Sequence, residues 1–161
     1  VFYGVRADGT KPAEEFLADL RRGDWRDDPD HAASAGWPDE AQPGDRAMLV
    51  QIIRNFADDG KPRRAAQVNV LEEGVWEFKR ASKRVTFWDT DGSGSCVTRS
   101  KIDDIENAHR GPDDPMWKFP DFEQQLRLGH CFGKTGERTD PQDIQVSIVV
   151  KEEDLSYDRA A

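Results

Sequence analysis

Apolar positions along the chain change their spacing twice, and each change marks a new kind of element. Ala13, Phe16, Leu17 and Leu20 recur at helical intervals. Pro12 suits a first helical turn, Glu14 and Glu15 suit the positive end of the helix dipole, and Gly23 stops the run. A short strand over Phe2–Arg6 precedes this helix, closed by a turn at Asp8-Gly9. Met48, Leu49, Ile52, Ile53 and Phe56 form a broader stripe that predicts a second helix from about Asp45 to Asp59. From residue 67 the period falls to two. Gln67–Leu71, Val75–Phe78 and Val85–Trp88 read as strands, the first two joined by a turn at Glu73-Gly74. Leu126–Phe132 reads as a further strand, and Asp140-Pro141 starts a last helix with Asp143 in its first turn and Ile144 and Ile148 on one face.

Two stretches break the pattern. Residues 24–44 are rich in Asp, Pro, Gly and Ala, yet hold Trp25 and Trp37, which need cover, so this loop is expected to pack back on the body. Residues 93–126 carry a short helix expected around Lys101–His109, a Pro/Asp-rich bend and an aromatic group of Trp117, Phe119 and Phe122. The order of elements predicts an α+β fold: an antiparallel sheet, two N-terminal helices on one face, a C-terminal helix, and an insertion before the last strand. One domain over residues 1–161 accommodates all of it.

The composition is 36% apolar and 34% charged, but eight Phe and five Trp within clean apolar runs argue for a packed core over disorder. No apolar run reaches membrane-spanning length and the N-terminus lacks a signal pattern, so no membrane partner and a cytoplasmic location are expected. Cys96 and Cys131 read as free thiols. A metal site from Cys96, His109, His130 and Cys131 lacks the close paired spacings of zinc modules, and neither metal nor other cofactor is expected. The net charge of −9 is unevenly spread. Residues 61–101 hold 9 Lys/Arg against 5 Asp/Glu, while the flanks hold 7 against 13 and 7 against 14. An acidic body thus has a basic middle, either a protected sheet edge or a nucleic-acid contact.

The richest chemistry lies in Leu128-Gly-His-Cys-Phe-Gly-Lys-Thr-Gly-Glu-Arg-Thr-Asp-Pro141, where an apolar strand runs into His130, Lys134 and Arg138. Such a set can move a proton and balance charge at a phosphodiester. Four segments in order resemble the HigB-like branch of the RelE toxin superfamily: Asp8–Leu20, the hairpin Val70–Arg80, the strand Lys83–Trp88, and Leu128 through Thr139-Asp-Pro. The resemblance implies a RelE-like fold and the toxin of a type II toxin–antitoxin pair, a metal-independent endoribonuclease that cleaves mRNA on the ribosome. A small helix-turn-helix antitoxin would be its partner. Carried onto this chain, Arg84 and Arg138 would clamp phosphate, Lys134 would add a cation, and His130 would serve as general acid or base. Lys79, Arg80 and Lys83, with Lys61, Arg63 and Arg64 in the same basic segment, would contact RNA.

The chain departs from the family in three ways. It is long and acidic, Gly133 stands where the family has the first of two lysines, and the insertion brings Asp103, Asp104, Glu106, Asp113 and Asp114 close in sequence to the site. Structural roles stand beside the catalytic ones: His130 as a satisfied sheet residue, Arg84 paired with Glu77 across the hairpin, and Trp76, Phe78, Phe87 and Trp88 as core. A relative without catalysis that binds protein or nucleic acid is the alternative function.

Overall fold

A computed structural model describes all 161 residues. The elements run β1 (Phe2–Tyr3), α1 (Pro12–Arg22), α2 (Gln42–Asp59), β2 (Val68–Val70), β3 (Trp76–Arg80), β4 (Lys83–Thr90), β5 (Gln125–Gly133) and α3 (Pro141–Ala160). The α+β class holds. The five strands lie in the order β1-β5-β4-β3-β2, and the sheet is mixed instead of wholly antiparallel, because β1 runs parallel to β5. A two-residue strand suffices there. Gly4 N–H still donates to the Leu128 carbonyl at 2.7 Å, but Val5 N–H turns away to the Asp154 carboxylate of α3, so the expected strand to Arg6 ends early.

α1 and α2 cover one face. Phe16, Leu17, Leu20, Leu49, Ile53 and Phe56 pack there against Val68, Trp76, Phe78, Val85, Phe87, Leu126 and Leu128. Phe56 lies edge-on to Phe78 and Phe87, with ring centroids 5.2 Å away from each. α2 begins three residues before its expected start, since Pro43 fits a first turn as well as Asp45 does and the Asp39 carboxylate takes the free Ala41 N–H. α3 covers the opposite face. Asp140 caps it by accepting from Gln142 N–H at 2.8 Å, and buried Arg127 of β5 grips Asp154 and Asp158 along its length.

Both irregular stretches are built into the body. Trp25 is buried edge-on against Phe16, whereas Trp37 is half-buried, stacked on His31 under the Arg26 guanidinium. Phe119 and Phe122 join the core, Phe122 4.9 Å from Phe56 and 5.3 Å from Trp76. The helix expected over Lys101–His109 shrinks to one tight turn, Ile105–Asn107, capped by Asp104; the segment has no apolar stripe to hold more.

One irregularity in the sheet sets the direction of a histidine. Val85 pairs with Cys131 and Phe87 with Leu128, so Gly129 and His130 together oppose Thr86. This is a β-bulge, clamped by the Thr86 hydroxyl donating to the His130 carbonyl at 2.8 Å. Gly129 is required in it because the Trp88 ring occupies the space of a β-carbon.

Candidate functional site

The face of the sheet turned away from α1 and α2 carries polar residues where the other carries core. Strand register places Asn69, Glu77, Thr86 and His130 in one row across β2, β3, β4 and β5. The next row holds Lys79, Arg84 and Phe132. Strict alternation from Leu126 and Leu128 would aim His130 into the core. The bulge returns it to the face of Arg84, roughly 7–8 Å away as a diagonal neighbour. His130 Nε2 meets Asp143 Oδ1 at 2.9 Å, its ring stacks on Phe132, and Nδ1 has no protein partner. Asp143 sits in the first turn of α3, so the capped helix start orients the imidazole.

Below the cations lies a buried acid. Glu77 is fully buried, with Oε1 3.9 Å from Arg84 Nε and 3.4 Å from the Asn69 amide nitrogen, while Oε2 has no partner. Burial raises its pKa against the charges of Arg84, Lys134 and Lys79. Burial likewise pulls Lys79 and Arg84 below their usual values, and in Lys79 the Arg84 charge adds to it. The guanidinium of Arg84 donates through Nη1 to the Ala81 and Lys83 carbonyls at 2.7 and 2.9 Å, which fixes its orientation, while its buried Nε finds no partner within hydrogen-bond reach. Cations crowded around one carboxylate, with charge still disfavoured on two of them, make an environment that an incoming anion would relieve.

The loop after β5 completes the site. Lys134 N–H donates to the Ser82 carbonyl at 2.7 Å, continuing the β4–β5 ladder. Lys134 and Arg138 line two adjacent cavities. One of about 420 Å³ is bounded by Phe132, Gly133, Thr135, Gly136, Thr139, Asp140 and Asp143, the other of about 350 Å³ by Asn69, Leu71, Glu72, Glu137, Thr139 and Ile144. Gly133 has no room for a side chain, because a β-carbon would stand 2.5 Å from the Pro29 ring. The loop over residues 24–41 therefore leaves no space for a lysine at this position.

The expected RNA-contacting residues divide. Lys79 shares the face of Arg84. Arg80 and Lys83 do not belong to it: Arg80 stays exposed on the other face, while for Lys83 burial corrects the expectation of RNA contact. Lys83 is sealed at 1% exposure with Nζ 2.9 Å from Asp45, 3.1 Å from Asp28 and 3.5 Å from Asp30, and Arg80 pairs with the same Asp45 at 3.1 Å. Burial lowers the Lys83 pKa, but the hydrogen bonds its ammonium donates to Asp45 and Asp28, with the charges of those carboxylates, outweigh it and leave the value raised. Lys83 thus ties the 24–41 loop and α2 to the sheet. Lys61 is engaged with Asp114 at 3.1 Å and Arg63 with Asp59 at 3.1 Å, while Arg64 is exposed.

The acidic insertion bridges the Thr90 and Gln125 ends of β4 and β5, opposite the Lys83 and Gly133 ends that carry the loop, roughly 23 Å along the strands. Its carboxylates bond within the insertion or to Lys61; none bonds to His130, Arg84, Lys134 or Arg138. Asn69 and Asp143 were not expected at the site from sequence, and Glu77 was expected only as the cross-hairpin partner of Arg84, from which it stands 3.9 Å away. The signal for Glu77 was available: an acid between core residues Trp76 and Phe78 must lie on the second face with Arg84. No protein-family model matches the chain, and no curated protein or solved structure is significantly similar to it.

Proposed function

We propose that this chain is an endoribonuclease of the RelE type, a HigB-like toxin that cleaves mRNA on the ribosome by transesterification. The observation that carries the reading is the convergence of His130, Arg84 and Lys134 at one end of the polar sheet face, with Asp143 behind the imidazole. In the reaction the ribose 2′-OH attacks the adjacent phosphorus, the P–O5′ bond breaks, and the products are a 2′,3′-cyclic phosphate and a 5′-OH end. His130, through its free Nδ1, exchanges the proton of the attacking or leaving oxygen. Arg84, Lys134 and Arg138 balance charge on the phosphorane oxygens. Asp143 fixes the orientation of the ring. A helix-turn-helix antitoxin and a cytoplasmic setting follow from the same resemblance.

Induced expression should arrest growth and generate mRNA ends within translated frames, mapped by primer extension. His130→Ala and Arg84→Ala should each lower cleavage about 10²–10⁴-fold. Unchanged growth and intact mRNA with folded wild-type protein would refute the reading. A second reading, an RNA- or protein-binding relative without catalysis, draws on Gly133 in place of a cation and on the binding of Arg84 to backbone carbonyls. It predicts ligand capture that His130→Ala leaves intact.

A further inference from the structure

The two cavities that share Lys134 and Arg138 differ in character. The one beside the start of α3 has Phe132 as the only hydrophobic residue among ten in its wall. The one on the β2 side is lined by Val70, Leu71 and Ile144 together with polar groups. Its volume of about 350 Å³ falls at the small-ligand end of binding sites. An anion held by Lys134 and Arg138 thus has a polar chamber on one side and a partly apolar one on the other. Two polar side chains of the second chamber, Asn69 and the Thr139 that it shares with the first, are under-used. Thr139 is 9% exposed, yet its hydroxyl has no partner, and the Asn69 amide makes one long contact, 3.4 Å to Glu77. A buried hydroxyl left without a partner is costly, and a ligand edge can supply what the protein does not.

We infer that the chamber between β2 and the start of α3 holds a nucleobase next to the phosphate gripped by Lys134 and Arg138, with Asn69 and Thr139 reading its edge. The inference rests on the phosphodiester reading and names the specificity element of that site. Leu71 and Ile144 wall the base, and the Arg138 guanidinium offers a plane for stacking. Glu72 and Glu137 also line the chamber. Carboxylates accept from exocyclic amino groups, so adenine, cytosine and guanine are preferred over uracil, which has none.

Calorimetric titration of the full chain with inorganic phosphate and with the four nucleoside 5′-monophosphates tests this. The monophosphates of adenosine, cytidine and guanosine should bind roughly tenfold or more tighter than inorganic phosphate, with uridine monophosphate weaker than the other three. Thr139→Val and Asn69→Ala should each bring these affinities down to that of phosphate, leaving phosphate affinity and the melting temperature unchanged. Asn69 is a half-buried edge-strand residue, so its variant carries the test should Thr139→Val fail to fold. Nucleotides that bind no better than phosphate, or variants that keep the difference, overturn the base chamber while the phosphate site stands. Equal affinity for uridine monophosphate overturns the role given to Glu72 and Glu137. Absence of binding to phosphate and nucleotides alike removes both the chamber and the phosphodiester reading.

Discussion

Glu77 shows how one side chain can set the character of a surface. It is fully buried, one of its oxygens lacks a partner, and its charged neighbours are Arg84, Lys134 and Lys79. Burial raises its folded-state pKa, so the native protein holds this proton at pH values where the unfolded chain has released it. Stability from this group is therefore present at low pH and lost as pH rises from the ordinary glutamate range through the raised value. Urea unfolding across that range should show the wild type losing stability with rising pH, and Glu77→Gln losing less. Identical slopes for the two proteins would remove Glu77 as a source of the dependence. Residue by residue, the candidate site was only partly legible. His130, Lys134 and Arg138 stand out because polar groups follow an apolar strand. Lys83, with the same charge, is a buried tie to three carboxylates, and no local pattern separates it from Lys79.

At the level of elements, caps and periods were reliable guides. The helix stop at Gly23 and the Asp140 cap of α3 are local chemistry: a left-handed glycine in one case, a carboxylate on a free N–H in the other. The β5 bulge is not local. It depends on Trp88 filling the space over Gly129 and on Thr86 reaching the His130 carbonyl, contacts that join residues about 40 positions apart. The insertion before β5 also takes its role from packing, since Phe119 and Phe122 belong to the core although they stand among acidic residues in the sequence. Phe122→Ala should cost about 3–5 kcal/mol in chemical denaturation, as expected for an aromatic removed from a core. A loss below about 1 kcal/mol would mean that the insertion merely lies on the body.

For the whole molecule, the net charge of −9 and the cationic site pull in opposite directions, and only a local field can favour RNA. With Arg84, Lys134 and Arg138, and Lys79 beside them, single-stranded RNA binding should weaken with salt at a slope of about −2 to −3 in log K against log salt. Fluorescence anisotropy of a labelled oligonucleotide measures it, and a flat response would exclude phosphate gripped by these side chains. The sequence by itself determined the α+β class, the positions of three helices and the strands, and the segment where His130, Lys134 and Arg138 gather, because helix caps and apolar periods are set by near neighbours. It could not determine that β1 runs parallel to β5, that the acidic insertion attaches at the far strand ends, or which basic residues face outward together. Those outcomes depend on strand register, on one bulge, and on which carboxylates reach which cations once distant segments pack, and pairings of that kind leave no period in the chain.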